Sequence, residues 1–84
     1  MDVSQPLLIQ RLLPLQALVE ALVLGGYQPV SMVLARGDFA RRGAIIDVFA
    51  VNHTHPLRIE YDDDQITRMR HFELTTQRSF ATEL

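Results

Sequence analysis

The chain changes its hydrophobic period once, at Gly25-Gly26, and that change limits the folds open to it. Before the two glycines, Leu15, Leu18, Val19 and Leu22 recur at i, i+3, i+4 and i+7, one stripe of an α-helix. Pro14 suits the first helical position, where its missing N–H costs no hydrogen bond, and Ala17, Ala21 and Leu24 add helix propensity. A glycine after Leu24 is free to take the left-handed conformation that closes a helix. From Tyr27 onward the signals are those of strands. Residues 27–34 read as one strand, weakened at its start by Pro29, and Arg36-Gly37-Asp38 reads as a turn. Residues 44–51 are a run of β-formers around a single charge, Asp47. After a loop at 52–56, residues 57–61 alternate, with Leu57, Ile59 and Tyr61 facing one way and Arg58 and Glu60 the other. Asp62-Asp63-Asp64 is a turn and residues 65–72 are a further strand, so 57–72 is a hairpin in which Arg68 and Arg70 share a face with Ile66 and Phe72.

This order predicts an α+β fold, one N-terminal helix packed on a small antiparallel β-sheet whose opposite face is solvated. A short extra strand is expected at 7–10, and the last residues of the polar end, 73–84, are expected to be loose. Ile46 and Val48 are assigned beneath the helix stripe. Ile45, Asp47 and Phe49 then share the other face, where Asp47 can pair with Arg42 or Arg58. On this reading, loss of Asp47 would be felt in partner binding more than in folding.

At 84 residues the chain is one domain, 1–84, and it reads as a fragment of a larger multidomain protein. A net charge of −2 argues against a dedicated nucleic-acid binder, which carries a basic excess. With no Cys, neither disulfide staples nor thiolate metal sites are open to it. No apolar run approaches the roughly 18 residues of a membrane span, and the first residues lack the basic stretch of a signal peptide. The cytoplasm is the expected location.

Catalysis finds no support. There is no phosphate-binding loop, nucleophile elbow or two-histidine zinc helix. His53 and His55 lack a third ligand at a fixed spacing, and Asp62–Asp64 lacks the spacing and closing glutamate of a calcium loop. No catalytic, cofactor or metal residue is assigned. The basic residues are all arginine, whose planar donor fork suits carboxylates and phosphates. The segment Arg36-Gly37-Asp38-Phe39-Ala40-Arg41-Arg42-Gly43 gathers three of them at a corner between two strands. It reads either as an anchor for a partner or as an exposed turn with solubilising charge. Arg58, Glu60, Arg68 and Arg70 read as a cross-strand ladder of ion pairs or as a recognition surface.

Several of these segments form a known pattern in order. Gly26-Tyr27, Arg36-Gly37-Asp38-Phe39 and Arg42-Gly43-Ala44-Ile45-Ile46-Asp47-Val48-Phe49 resemble the GY, GEF and RGGIIDIFP runs of the bacterial transcription-repair coupling factors (Mfd), with a related run in the UvrA-binding domain of UvrB. Pro56-Leu57-Arg58-Ile59-Glu60-Tyr61 resembles PLRIEFF, and Arg70-His71-Phe72 followed by Thr76-Gln77-Arg78-Ser79 resembles the IRxF and TQRS ending of the coupling factors. The resemblance implies a non-catalytic module that docks UvrA in transcription-coupled nucleotide excision repair, within a parent that is an ATP-dependent DNA translocase. It also implies that another domain of the parent masks the same surface. Partner-binding roles are implied for Arg36, Phe39 and Arg42, and Arg41, Asp47 and Arg58 are added from their positions. The sequence departs from the pattern at Gln28 and Ala40, where the relatives have arginine, and at Gln65, where glutamate is common. Arg41 is the candidate to compensate for Ala40, although in an extended strand its side chain points the other way. The alternatives are the equivalent domain of UvrB, a stand-alone relative, or a small nucleic-acid-binding module using the arginine patch. Neither membrane contact nor direct DNA contact is expected of this domain alone.

Overall fold

The apolar stripe before the glycines forms α1, Leu15–Leu24, in a computed structural model that describes residues 13–81. Pro14 lies one position outside the helix, as its extended N-cap, and its carbonyl accepts the first helical hydrogen bond from Leu18 N at 3.1 Å. At the other end Gly26 takes φ +86°. Tyr27 N donates to Leu22 O and Gly26 N to Val23 O, the paired bonds of a Schellman ending. Only a residue without a Cβ adopts that φ readily, so the second glycine stops the helix and turns the chain into the sheet. Leu15, Leu18 and Leu22 are buried, and Val19 packs at the margin.

Five strands follow, β1 (Gln28–Pro29), β2 (Asp38–Arg42), β3 (Ile45–Val48), β4 (Leu57–Asp62) and β5 (Gln65–His71), lying side by side in that order. β2 to β5 form an antiparallel meander, while β1 runs parallel to β2. The strand expected at 27–34 is therefore only two residues long. Beyond Pro29, the Leu34 and Ala35 amides bond the Asp38 carboxylate, each at 3.1 Å, so a side chain takes the place of a strand partner. The arginine corner is also resolved differently. Arg36 and Gly37 turn, but Asp38 already begins β2, and the true corner is the two-residue loop Gly43-Ala44 between Arg42 and Ile45. Gly43 has φ +59° at the first loop position, the requirement of a type II′ hairpin.

The strand alternation sorts the sheet into two faces. Phe39, Ile46, Val48, Leu57, Ile59, Tyr61 and Met69 pack under α1, as expected for Ile46 and Val48. The other face is not solvated as expected. Val33, Ala40, Phe49 and Phe72 form a second cluster there, bordered by Val30 and Leu74. What covers it is the loop after β1 together with the polar segment after β5. That segment returns along the sheet: Glu73 N donates to Arg78 O, Phe80 N donates to His71 O, and Phe72 bridges Ser79. Its final residues, 82–84, and the strand expected at 7–10 lie outside the described residues.

One register shift corrects a further expectation. Glu60 pairs with Arg68 but Tyr61 pairs with Ile66, leaving Thr67 as the extra residue of a bulge in β5. Ile66 thereby swings to the helix face with Met69, away from the face of Arg68 and Arg70. Among the described residues no helix is long and apolar enough to cross a membrane.

Candidate functional site

Pairing of β2, β3, β4 and β5 lays two rows of side chains across the face opposite α1. One row is Ala40, Asp47, Arg58 and Arg70; the next is Arg42, Ile45, Glu60 and Arg68. Opposite charges meet within and between these rows. Asp47, only 2% exposed, accepts from two arginines. Arg58 grips it with a two-point fork, Nε to Oδ1 at 2.8 Å and Nη2 to Oδ2 at 3.0 Å, and Arg42 Nη2 reaches Oδ2 at 3.0 Å. Arg70 reaches Glu60 at 3.2 Å, one ion pair between the neighbouring strands β4 and β5.

The two arginines on Asp47 are not equivalent. Arg58 is used up within the fold. Its Nη1 donates to Gln77 O at 2.9 Å and to Ser79 Oγ at 3.3 Å, and its guanidinium lies 4.3 Å from the centre of the Phe72 ring. It fastens the returning C-terminal segment to the sheet. The Arg42 side chain is 53% exposed, with one nitrogen held on Asp47 and the rest of its fork accessible. One carboxylate thus neutralises a buried arginine and fixes the aim of an exposed one, leaving the triad with a net positive charge.

The other assigned residues scatter. Arg36 lies on the same face near its far end, its guanidinium 5.0 Å from the centre of the Phe49 ring and its Nε donating to His53 O at 2.9 Å. Arg41 points to the helix side, where it lines an open cleft with Leu15, Gln16, Asp63 and Asp64. It therefore does not stand in for the arginine missing at Ala40. Phe39 is 3% exposed in the core beneath α1, so its ring holds β2 in place and has no surface to offer a partner. Asp47 and Arg58 are enclosed within the fold, whereas Arg42 and Arg36 are exposed.

Two features of this face escaped the sequence. Gln77, at φ +60°, donates its amide to Val33 O at 3.3 Å and to Leu74 O at 3.0 Å, tying the loop after β1 to the C-terminal segment. With Ser31, Met32, Arg42 and Asp47 it lines a small pocket of about 70 Å³. The signal in sequence was the Thr76-Gln77-Arg78-Ser79 motif, whose spacing alone gives no hint of a brace.

The histidines form a group of their own. His53 and His55 stand with their ring centres 6.0 and 6.4 Å from that of His71, and His55 Nε2 lies 3.9 Å from Glu73 Oε1. No cluster among the described residues is arranged to hold a metal. Burial, followed by the charges of His53 and His55, lowers the affinity of His71 for a proton below the ordinary 6.5. The unfolded chain therefore binds the proton more readily than the folded one. Stability from this group is complete above about pH 6.5 and is lost as the pH falls through that value toward the folded one. Urea midpoints at about pH 8 and about pH 5.5 are expected to differ less in His71→Gln than in the parent. An unchanged difference would remove His71 from the account.

The sequence profile of the UvrB interaction domain matches residues 7–83. The chain belongs to the UvrB interaction domain family. Among curated proteins it is similar to the transcription-repair-coupling factor of Mycobacterium tuberculosis, 47% identical over 66 residues, 79% of this chain and 5% of that protein. The Bacillus subtilis transcription-repair-coupling factor is 40% identical over 65 residues, 77% of this chain and 6% of that protein. The Escherichia coli counterpart is 37% identical over 54 residues, 64% of this chain and 5% of that protein. The chain spans only about 5% of the length of the relatives it matches. Membership makes it a protein–protein interaction module of the DNA-repair class, which fits a non-catalytic role.

Proposed function

We propose that this UvrB interaction domain docks UvrA in transcription-coupled nucleotide excision repair, and that Arg42 is its central contact. The observation that carries the reading is the asymmetry of the Asp47 triad, which holds Arg42 half in solvent with its direction fixed. Orienting a long side chain before binding lowers the entropy lost on docking. A carboxylate on UvrA would complete the fork. Arg36, braced by Phe49 and the His53 carbonyl, is a second contact toward the other end of the face. In a longer parent with translocase activity, another domain would cover the same surface until docking is required, and the whole would work in the cytoplasm.

Arg42→Ala is expected to weaken binding of the cognate UvrA by roughly 2–5 kcal/mol, the cost of leaving a charged partner unmet at an interface. Its thermal midpoint should stay near that of the parent, because Arg58 still neutralises Asp47. Calorimetric titration of UvrA into both proteins checks this, and equal affinities would remove Arg42 from the interface. The nucleic-acid reading draws less support from the geometry: Arg41 and Arg42 point to opposite faces and Arg58 is enclosed. DNA affinity falling steeply with salt would favour it instead.

A further inference from the structure

We propose that Met32 and Leu34 form an apolar centre of the docking surface, which commits the partner to an apolar side-chain cluster flanked by carboxylates. The inference rests on the UvrA reading above and takes the corresponding surface of UvrA as the occupant. Around Val33 the loop after β1 alternates. Val33 is fully buried in the second cluster, whereas Met32 is 52% and Leu34 66% exposed. An apolar-apolar-apolar run that buries only its middle member leaves two large side chains in water without a folding role that requires it.

This loop is held rather than loose. Leu34 and Ala35 amides are fixed by the Asp38 carboxylate, Val30 N donates to Phe39 O at 2.9 Å, and the Val33 carbonyl accepts from Gln77. Met32 and Leu34 are thus presented from a braced backbone, so little further ordering of the chain is needed on contact. Their neighbours decide the chemistry of the occupant. Met32 lines the same small pocket as Arg42, and two residues beyond Leu34 comes Arg36. Exposed apolar side chains beside Arg42 in space and close to Arg36 along the chain are complementary to an apolar patch with an acidic margin, in which the charges set orientation and the buried centre holds the complex.

The test titrates cognate UvrA into the full chain and into Met32→Ser, Leu34→Ser, the double variant and Leu34→Met. Each serine variant is expected to lose about tenfold or more in affinity, the double variant more, with thermal midpoints unchanged because both side chains are exposed. Leu34→Met should restore most of the binding, which a purely structural effect of serine would not predict for exposed positions of equal stability. The losses should persist at high salt, whereas that of Arg42→Ala should shrink. If the double variant binds UvrA as the parent does while Arg42→Ala weakens it, the apolar centre is overturned and the UvrA reading stands. If the parent itself does not bind UvrA, the docking reading fails and the apolar centre falls with it.

Discussion

Replacing Asp47 with alanine is expected to lower the unfolding free energy by about 3–5 kcal/mol, the cost of breaking a buried ion pair from one side. Arg58, with its side chain 12% exposed, would keep its charge and lose both bonds of its fork. Arg42 could swing into water, but Arg58 could not without releasing Gln77 and Ser79. Since small domains hold roughly 5–15 kcal/mol in total, the variant should be largely destabilised in urea titration. This reverses the expectation that Asp47 would matter more for binding than for folding. The reason is that its face of the sheet is covered. A change below about 1 kcal/mol would mean that the triad adds little to the fold, as for exposed ion pairs.

Phe72→Ala should have an effect of similar size for a different reason. The ring is fully buried in the second cluster and is the plate on which the Arg58 guanidinium rests. Truncating a buried phenylalanine costs about 3–5 kcal/mol through lost burial and the cavity left behind. Here the damage should spread along a defined path, because Phe72 also bridges Ser79 in the returning segment. Hydrogen exchange is expected to accelerate at Phe80 N, which bonds His71 O, more than within α1. Phe72→Leu should recover part of the loss. If alanine is tolerated with little change in the urea midpoint, the second cluster is not a core.

Most of the architecture was legible because it follows simple periods. The stripe of Leu15, Leu18 and Leu22, the double-glycine stop and the alternation of Leu57, Ile59 and Tyr61 each place side chains without reference to the rest of the molecule. What was not legible depends on side chains bonding backbone, which has no period. Val30, Met32, Val33 and Leu34 look like a strand until the Asp38 carboxylate captures two of the amides. The polar end after Phe72 has no period to read, and its path is set by Arg58 bonding Gln77 and Ser79 and by Gln77 bonding Val33 and Leu74. For the candidate site, the pairing of Asp47 with Arg42 and Arg58 was foreseen from strand alternation. The unequal exposure of the two arginines was not, because it depends on that same polar segment. Phe39 was expected to anchor its segment by burying its ring, and it does so beside Val48, its partner across the β2–β3 ladder, under α1; the partner contact that its motif position implied finds no exposed surface there.

The bulge at Thr67 bears on how the molecule keeps to itself. β5 is the terminal strand of the sheet, and a straight terminal strand invites the strand of another molecule to extend it. Here the invitation is interrupted. Thr67 is displaced from the ladder, its hydroxyl turned inward to the Glu60 carbonyl at 3.2 Å, and the residues that follow include Arg68 and Arg70. An incoming strand would lose register at the third residue and meet cationic side chains beyond it. The same irregularity that sends Ile66 into the core therefore also guards a repair module against edge-to-edge aggregation.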